Sequence, residues 1–146
     1  MRLTMFTDYS LRTLMFLSQN QDRLCTAREI AQSYGISLNH IVKVVHNLAQ
    51  LGYIKTLKGK GGGIRLSRPP EELNLWELVK ALEPDFTVVE CFDQQHNTCR
   101  VVSACGLKSI LHEAMQAFGN TLAQYSVADA IAQPQLFATL LQPEKE

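Results

Sequence analysis

No stretch of this 146-residue chain approaches the roughly 20 consecutive apolar residues of a membrane-spanning helix. Glycine and proline are scarce, eight and five residues, which excludes a low-complexity chain. Charged residues make up only 19% against 46% apolar, which argues against disorder. The opening Met1–Asp8 lacks a long apolar run followed by a small-residue cleavage site, so a soluble cytoplasmic protein is the expectation. No nucleophile, base and acid assemble into a recognisable set, and no enzymatic activity is expected. The length suits one modest core plus a pairing element, and does not accommodate two full-sized domains.

Net charge is also lacking, because fourteen basic and fourteen acidic side chains cancel. They are unevenly spread. Residues 1–68 hold ten Lys or Arg and three Asp or Glu, so the front half is strongly basic and the back half equally acidic. Phosphate binding depends on the local field, so the basic half is where a nucleic-acid contact is to be sought.

That half reads as a winged helix-turn-helix. Thr26-Ala27-Arg28-Glu29 is a capping box, and Gly35 suits the left-handed position that ends the short helix it starts. Ser37 is the candidate cap of the next helix, with Leu38, Ile41, Val42, Val45, Leu48 and Ala49 on its apolar side. Asn39 and His40, in its first turn, are placed to reach base edges, and Lys43 to reach base or phosphate. Gly52 stops this helix. Tyr53–Lys58 and Ile64–Ser67 read as strands around the basic tip Gly59-Lys60-Gly61-Gly62-Gly63, a β-hairpin wing carrying Lys58, Lys60 and Arg65. The tip lacks the residue order of an ATP-binding loop. Arg12, Arg28 and Ser37 complete the candidate DNA-contacting set. A wing alone does not prove DNA binding, and a protein-protein adaptor is the alternative.

Asp8–Leu17 has helical spacing, with Leu11, Leu14 and Met15 starting an apolar stripe that polar Ser18 breaks and Leu17 closes. Leu73–Leu82 forms a further helix ended near Pro84, and Trp76 is expected in the core.

Cys91, Cys99 and Cys105 fall in one aperiodic loop, while Cys25 stands apart as a packing residue. An odd number of loop cysteines does not make a structural disulfide set. The C-x7-C-x5-C spacing is wide for zinc knuckles. An iron–sulfur cluster fits such a loop best, and a redox thiol switch, zinc or no role remain open. A fourth ligand has to come from Asp8, His96, His112 or a small molecule. After the loop, Leu107, Ile110, Leu111, Ala114, Phe118, Leu122 and Tyr125 recur at helical spacing. A helix of about 28 Å running to Tyr125 is a candidate for pairing with its copy. Such a homodimer predicts a palindromic operator. Residues 127–131 and 136–141 are expected to pack back before Pro143. The organisation expected is therefore a DNA-binding domain over 1–84, a cysteine loop over 85–106, and a dimerisation helix with its tail over 107–146. The fold class is mainly α with a small β wing.

Several segments together resemble the NsrR-type nitric-oxide-sensing repressors, which share a family with IscR. They are Phe6–Arg12, Gly35–Val45, the wing Lys58–Leu66, Leu82-Glu83-Pro84 and Tyr125–Asp129. The resemblance covers about residues 1–142. It implies a homodimeric repressor on double-stranded operator DNA, away from membranes, with nitric oxide as the signal. It further implies an iron–sulfur cluster on Cys91, Cys99 and Cys105, with Asp8 of the partner subunit as the remaining ligand. A [4Fe–4S] cluster is favoured by this likeness, with [2Fe–2S] of IscR type as the alternative. IscR-type members have a histidine a few residues past the third cysteine; three residues past it this chain has Lys108, which argues against the IscR scheme. Seven residues separate the first two cysteines, more than is usual in NsrR-type loops, and extra loop length costs little closure entropy. His96 inside that longer loop is the alternative ligand.

Overall fold

The computed structural model describes residues 2–93 and 95–142. The elements run α1 (Met5–Ser18), α2 (Ala27–Tyr34), α3 (Leu38–Gln50), β1 (Ile54–Leu57), β2 (Gly63–Leu66), α4 (Leu75–Leu82), α5 (Gly106–Leu122) and α6 (Pro134–Leu140). Short 3₁₀ turns lie at Pro70–Glu72 and Glu90–Phe92. Pro143, the expected limit of the tail, lies outside the described residues.

The helix-turn-helix is built from local signals. Thr26 accepts from the Glu29 amide at 3.2 Å, and the Glu29 carboxylate receives the Thr26 N–H at 2.6 Å, completing the capping box. Gly35 sits at φ +62°, and the Ile36 N–H reaches back to the Ala31 carbonyl at 2.9 Å. This is the hydrogen-bond closure that a left-handed glycine permits at a helix end. Ser37 precedes α3 but makes no side-chain capping bond, so its expected role as a cap is limited to its position.

On α3 the buried residues are Ile41, Val44 and Leu48. Val42 is 50% exposed, which corrects the expected apolar side. The stripe runs at spacings of three and four through Val44, which leaves Val42 on the outer face. On α1, Ser18 is buried after all, together with Thr7, Ser10 and Thr13. Ser10 and Thr13 donate their hydroxyls to the carbonyls of Phe6 and Tyr9, at 2.7 and 2.8 Å, so this polar face enters the core with its hydrogen bonds made.

The two strands pair antiparallel with Ile54 opposite Leu66 and Lys55 opposite Arg65. A side chain at Gly62 would collide with the Leu57 carbonyl, so the tip can close this tightly only with glycine there. Cys25 exchanges both backbone hydrogen bonds with Ile64, at 3.0 and 2.7 Å, adding a one-residue third strand to the wing.

One core joins Leu14, Leu17, Ile30, Ile41, Leu48, Ile54, Ile64, Leu73, Leu78 and Val127. Cys25 is fully buried in it, as a packing residue. Val127 and Ile131 are buried, and the Val127 N–H donates to the Leu73 carbonyl at 2.9 Å, whereas Leu136 and Leu140, also expected to pack back, are 50% and 71% exposed. Trp76 is only half-buried. It lies in an aromatic group between α4 and α5, with ring centroids 5.3 Å from Phe86 and 6.2 Å from Phe118. Helix α5 ends at Leu122 instead of Tyr125. No helix among the described residues is long and apolar enough to cross a membrane.

Candidate nucleic-acid interface and cysteine loop

Ser37, just before α3, and Asn39, His40 and Lys43 on its first turns are exposed to solvent. Its other side is fixed by Ile41, Val44 and Leu48 in the core, so these polar side chains sit on a rigid support. His40 also lies against α1, its ring centroid 5.9 Å from that of Tyr9. Arg28 is exposed on α2, and Lys58, Lys60 and Arg65 are exposed on the wing.

Arg12 is placed differently. Its Nε and Nη2 donate to Oδ1 and Oδ2 of Asp8, at 3.0 and 2.8 Å, a two-pronged pair one turn apart on α1. Its guanidinium also lies 5.9 Å from the Tyr34 ring centroid, and the Tyr34 hydroxyl donates to the Arg12 carbonyl at 3.0 Å. The proposed ligand Asp8 and the proposed DNA contact Arg12 therefore hold each other within one subunit.

The N-terminus of α1 has a tie that the sequence did not reveal. Glu83, which follows α4, accepts from the Thr4 backbone N–H at 2.8 Å and from its hydroxyl at 3.2 Å. Thr4 is the N-cap of α1 and accepts in turn from the Thr7 amide. The chain runs on from Glu83 into the cysteine loop. The two residues are 79 positions apart, and no local pattern marks them as partners.

The loop is stiffened by two carboxylates. Glu90 receives the Thr98 hydroxyl at 2.6 Å and also its amide, and these bonds hold its pKa below the usual glutamate value. Asp93 is paired with His96 Nδ1 at 2.7 Å and accepts the Gln95 amide at 2.9 Å. The His96 bond is the main reason the Asp93 pKa falls below the ordinary range. His96, the alternative ligand, thus has one ring nitrogen committed to its own loop. Cys91 lines a cleft of about 890 Å³ against α5, with Lys108, His112 and Glu113 on the facing wall.

Cys91, Cys99 and Cys105 are all free and half-buried. Three reachable thiols in one loop match the donor chemistry of an iron–sulfur group. Their arrangement does not yet form a coordination shell: among the described residues no group of three or more His, Cys, Asp or Glu converges as for a metal.

The expected pairing residues divide. Leu107 and Ile110 of α5 are 58% and 64% exposed, and Ala114 is exposed one turn on. Leu111, Phe118 and Leu122 are half-buried, and Phe118 is edge-on to Trp76 within the same subunit. Tyr125 is exposed beyond the helix end.

Comparison with known proteins places this architecture. The profile described as "Rrf2: Iron-dependent Transcriptional regulator" matches residues 3–133. The chain belongs to the Rrf2 family. The HTH-type transcriptional regulator NsrR of Bacillus subtilis is 46% identical over 132 residues, covering 90% of each chain. NsrR of Shouchella clausii is 46% identical over 143 residues, covering 97% of this chain and 96% of its own. Within Rrf2 this chain is therefore closely related to NsrR. Among solved structures, T. potens IscR superposes with a TM-score of 0.70 at 19% identity, covering 90% of this chain and 86% of that one. CymR of B. subtilis, titled the global cysteine regulator, gives 0.69 at 18% identity, covering 89% and 95%. These two likenesses show a shared fold. As an Rrf2 protein, the chain is a DNA-binding transcriptional regulator and not an enzyme.

Proposed function

We propose that the chain is a nitric-oxide-sensitive repressor that binds palindromic operator DNA as a homodimer while Cys91, Cys99 and Cys105 carry an iron–sulfur cluster. The observation that carries this reading is the set of three free, half-buried thiols in a loop that follows directly on Glu83, the residue bonded to the cap of α1. Bound there, the group supplies an iron site that reacts with nitric oxide. Asp8 of the partner subunit is the proposed fourth ligand. Asp8 would hold the iron through a carboxylate oxygen that Arg12 now bonds, so the ligand role and the Arg12 pair would compete. That competition would bear on the N-terminal part of α1, which meets α3 through Tyr9 and His40. Leu107, Ile110 and Ala114 form the exposed row through which α5 meets its copy. The same assignment gives base-edge contacts to Asn39 and His40, a base or phosphate contact to Lys43, and backbone contacts to Lys58, Lys60 and Arg65.

Anaerobic purification with iron and sulfide counting, then nitric-oxide titration on palindromic DNA, tests the reading. About four irons per subunit, with visible absorbance lost as DNA is released, is expected. About two irons would assign the smaller cluster and put Asp8 and His96 in competition. No iron would overturn the cluster. It would favour a bare-thiol switch on the same three cysteines. Asp8→Ala is expected to weaken or alter the nitric-oxide response, and an unchanged response removes Asp8 as ligand.

A further inference from the structure

Lys55 and Arg65 stand directly opposite each other in the β1–β2 register. Both are exposed, while Ile54 and Ile64 are buried beneath the hairpin, so strand alternation puts the two cations on its outer face. Like charges directly opposed across an antiparallel pair destabilise it. Neither has an acidic partner among the described residues. A third cation joins them: Arg68 lies 5.6 Å from the Tyr53 ring centroid, a stacking that orients its guanidinium. Lys55, Arg65 and Arg68 line one cleft of about 290 Å³, with Gln21 and Ser67 beside them. The strand ends there are held by the Ser67 hydroxyl on the Gly52 carbonyl at 2.6 Å and the Ser67 amide on the Tyr53 carbonyl at 3.0 Å. This is a braced concavity in which repulsion among cations is left uncompensated.

We propose that Lys55, Arg65 and Arg68 form a phosphate-binding groove on the outer face of the wing, which grips the DNA backbone beside the groove that the wing tip enters. An anion between the opposed cations removes their repulsion, and guanidinium groups match phosphate geometry. A phosphodiester ridge is favoured over free phosphate because the cleft lies at the base of the same hairpin whose tip carries Lys58 and Lys60. Lys58, just past the end of β1, stands three residues on from Lys55, about 10 Å at the rise of a strand. That distance is on the order of a minor-groove opening and its flanking backbone, so a tip inserted in the groove brings Lys55 to the phosphates. Lys55 and Arg68 thereby join Arg65 as DNA contacts. The inference rests on DNA binding alone and not on the cluster or its signal.

The test uses the full-length protein and a random-sequence duplex of about 30 base pairs, because nonspecific binding is dominated by phosphate contacts. Affinity is measured between about 50 and 200 mM chloride. Lys55→Ala with Arg68→Ala is expected to lower the slope of log affinity against log salt by about two, one per lost contact, and to weaken binding at every salt concentration. Lys80→Ala, on α4 and paired with Glu77 away from the helix-turn-helix and the wing, should leave the slope unchanged. Lys55→Ala alone should not lower the melting temperature of the DNA-free protein, because it relieves the opposed pair. That melting curve separates lost contacts from lost folding. A steep wild-type slope that the double variant leaves intact overturns the proposal. Inorganic phosphate that competes with the duplex at matched ionic strength, in the wild type but not in the double variant, with duplex slopes equal, also overturns it by assigning the groove to a free anion. A wild type that binds the duplex with no salt dependence also overturns the proposal, and one that binds no duplex at all removes the DNA-binding reading on which it rests.

Discussion

The Glu83 carboxylate accepts two hydrogen bonds from Thr4, one from its amide and one from its hydroxyl, and so fastens the end of α4 to the first turn of α1. The same first turn carries Asp8. Glu83→Ala is expected to cost about 1–3 kcal/mol, the range for leaving a part-buried donor unpaired. Amide exchange should quicken over Met5–Asp8 before other parts of α1. Exchange rates there matching wild type would show that the tie does not hold the turn.

Thiol labelling should separate the four cysteines. Cys25 is fully buried, and burial pushes its thiol pKa up, against a smaller opposite pull from Arg23. Cys91, Cys99 and Cys105 are half-buried and free. In cluster-free protein the three loop thiols are expected to react with a disulfide reagent well before Cys25, which waits for unfolding. Rapid reaction of all four would place Cys25 outside the core.

These two cases mark what the sequence made legible. The helix-turn-helix was readable because its signals are local: Thr26 and Glu29 lie three residues apart, and Gly35 terminates its own helix. The isolation of Cys25 from the other three was likewise visible in spacing. Val42 was misplaced because a helical stripe admits two neighbouring tracks, and only tertiary packing chose Val44. Ser18 looked like a break because a hydroxyl counts as polar in a sequence pattern, whereas α1 buries a whole row of hydroxyls. The Glu83–Thr4 tie and the Lys55–Arg65 opposition depend on chain pairing, which no window of neighbouring residues contains.

Alkaline pH should act through Tyr34. Burial pushes its pKa up to about 12, against the pull of the Arg12 cation and with a small push from Asp8. The folded state therefore holds this proton more tightly than the unfolded chain, whose tyrosine titrates near 10. The associated stability is complete below pH 10 and is lost as pH rises through about 12. Tyr34→Phe should be less stable at neutral pH by about 1 kcal/mol, for the lost bond to the Arg12 carbonyl. It should also show a shallower alkaline decline, measured by denaturant unfolding against pH. An identical decline in the variant would assign it to other groups.

Gly119 tests the seating of α5. A Cβ there would lie 2.8 and 2.9 Å from Cζ2 and Cε2 of Trp76. The indole cannot yield easily, because Phe86 and Phe118 confine it. Gly119→Ala is expected to destabilise by about 1–3 kcal/mol, as overpacking does, with a shift in tryptophan emission. A variant as stable as wild type, with unchanged emission, would mean that α5 stands clear of the ring.

The backbone exchange between Cys25 and Ile64 has a geometric consequence. A free two-stranded ribbon would swing about its base. Here its inner edge is stitched to the residue just before the capping box of α2, so ribbon and recognition helix move as the two jaws of one caliper. Their gap is set by the main chain around Cys25, whatever side chains the jaws carry. Exchanging residues at the tip should therefore change how tightly a duplex is held, while the number of base pairs between the two points of grip stays constant.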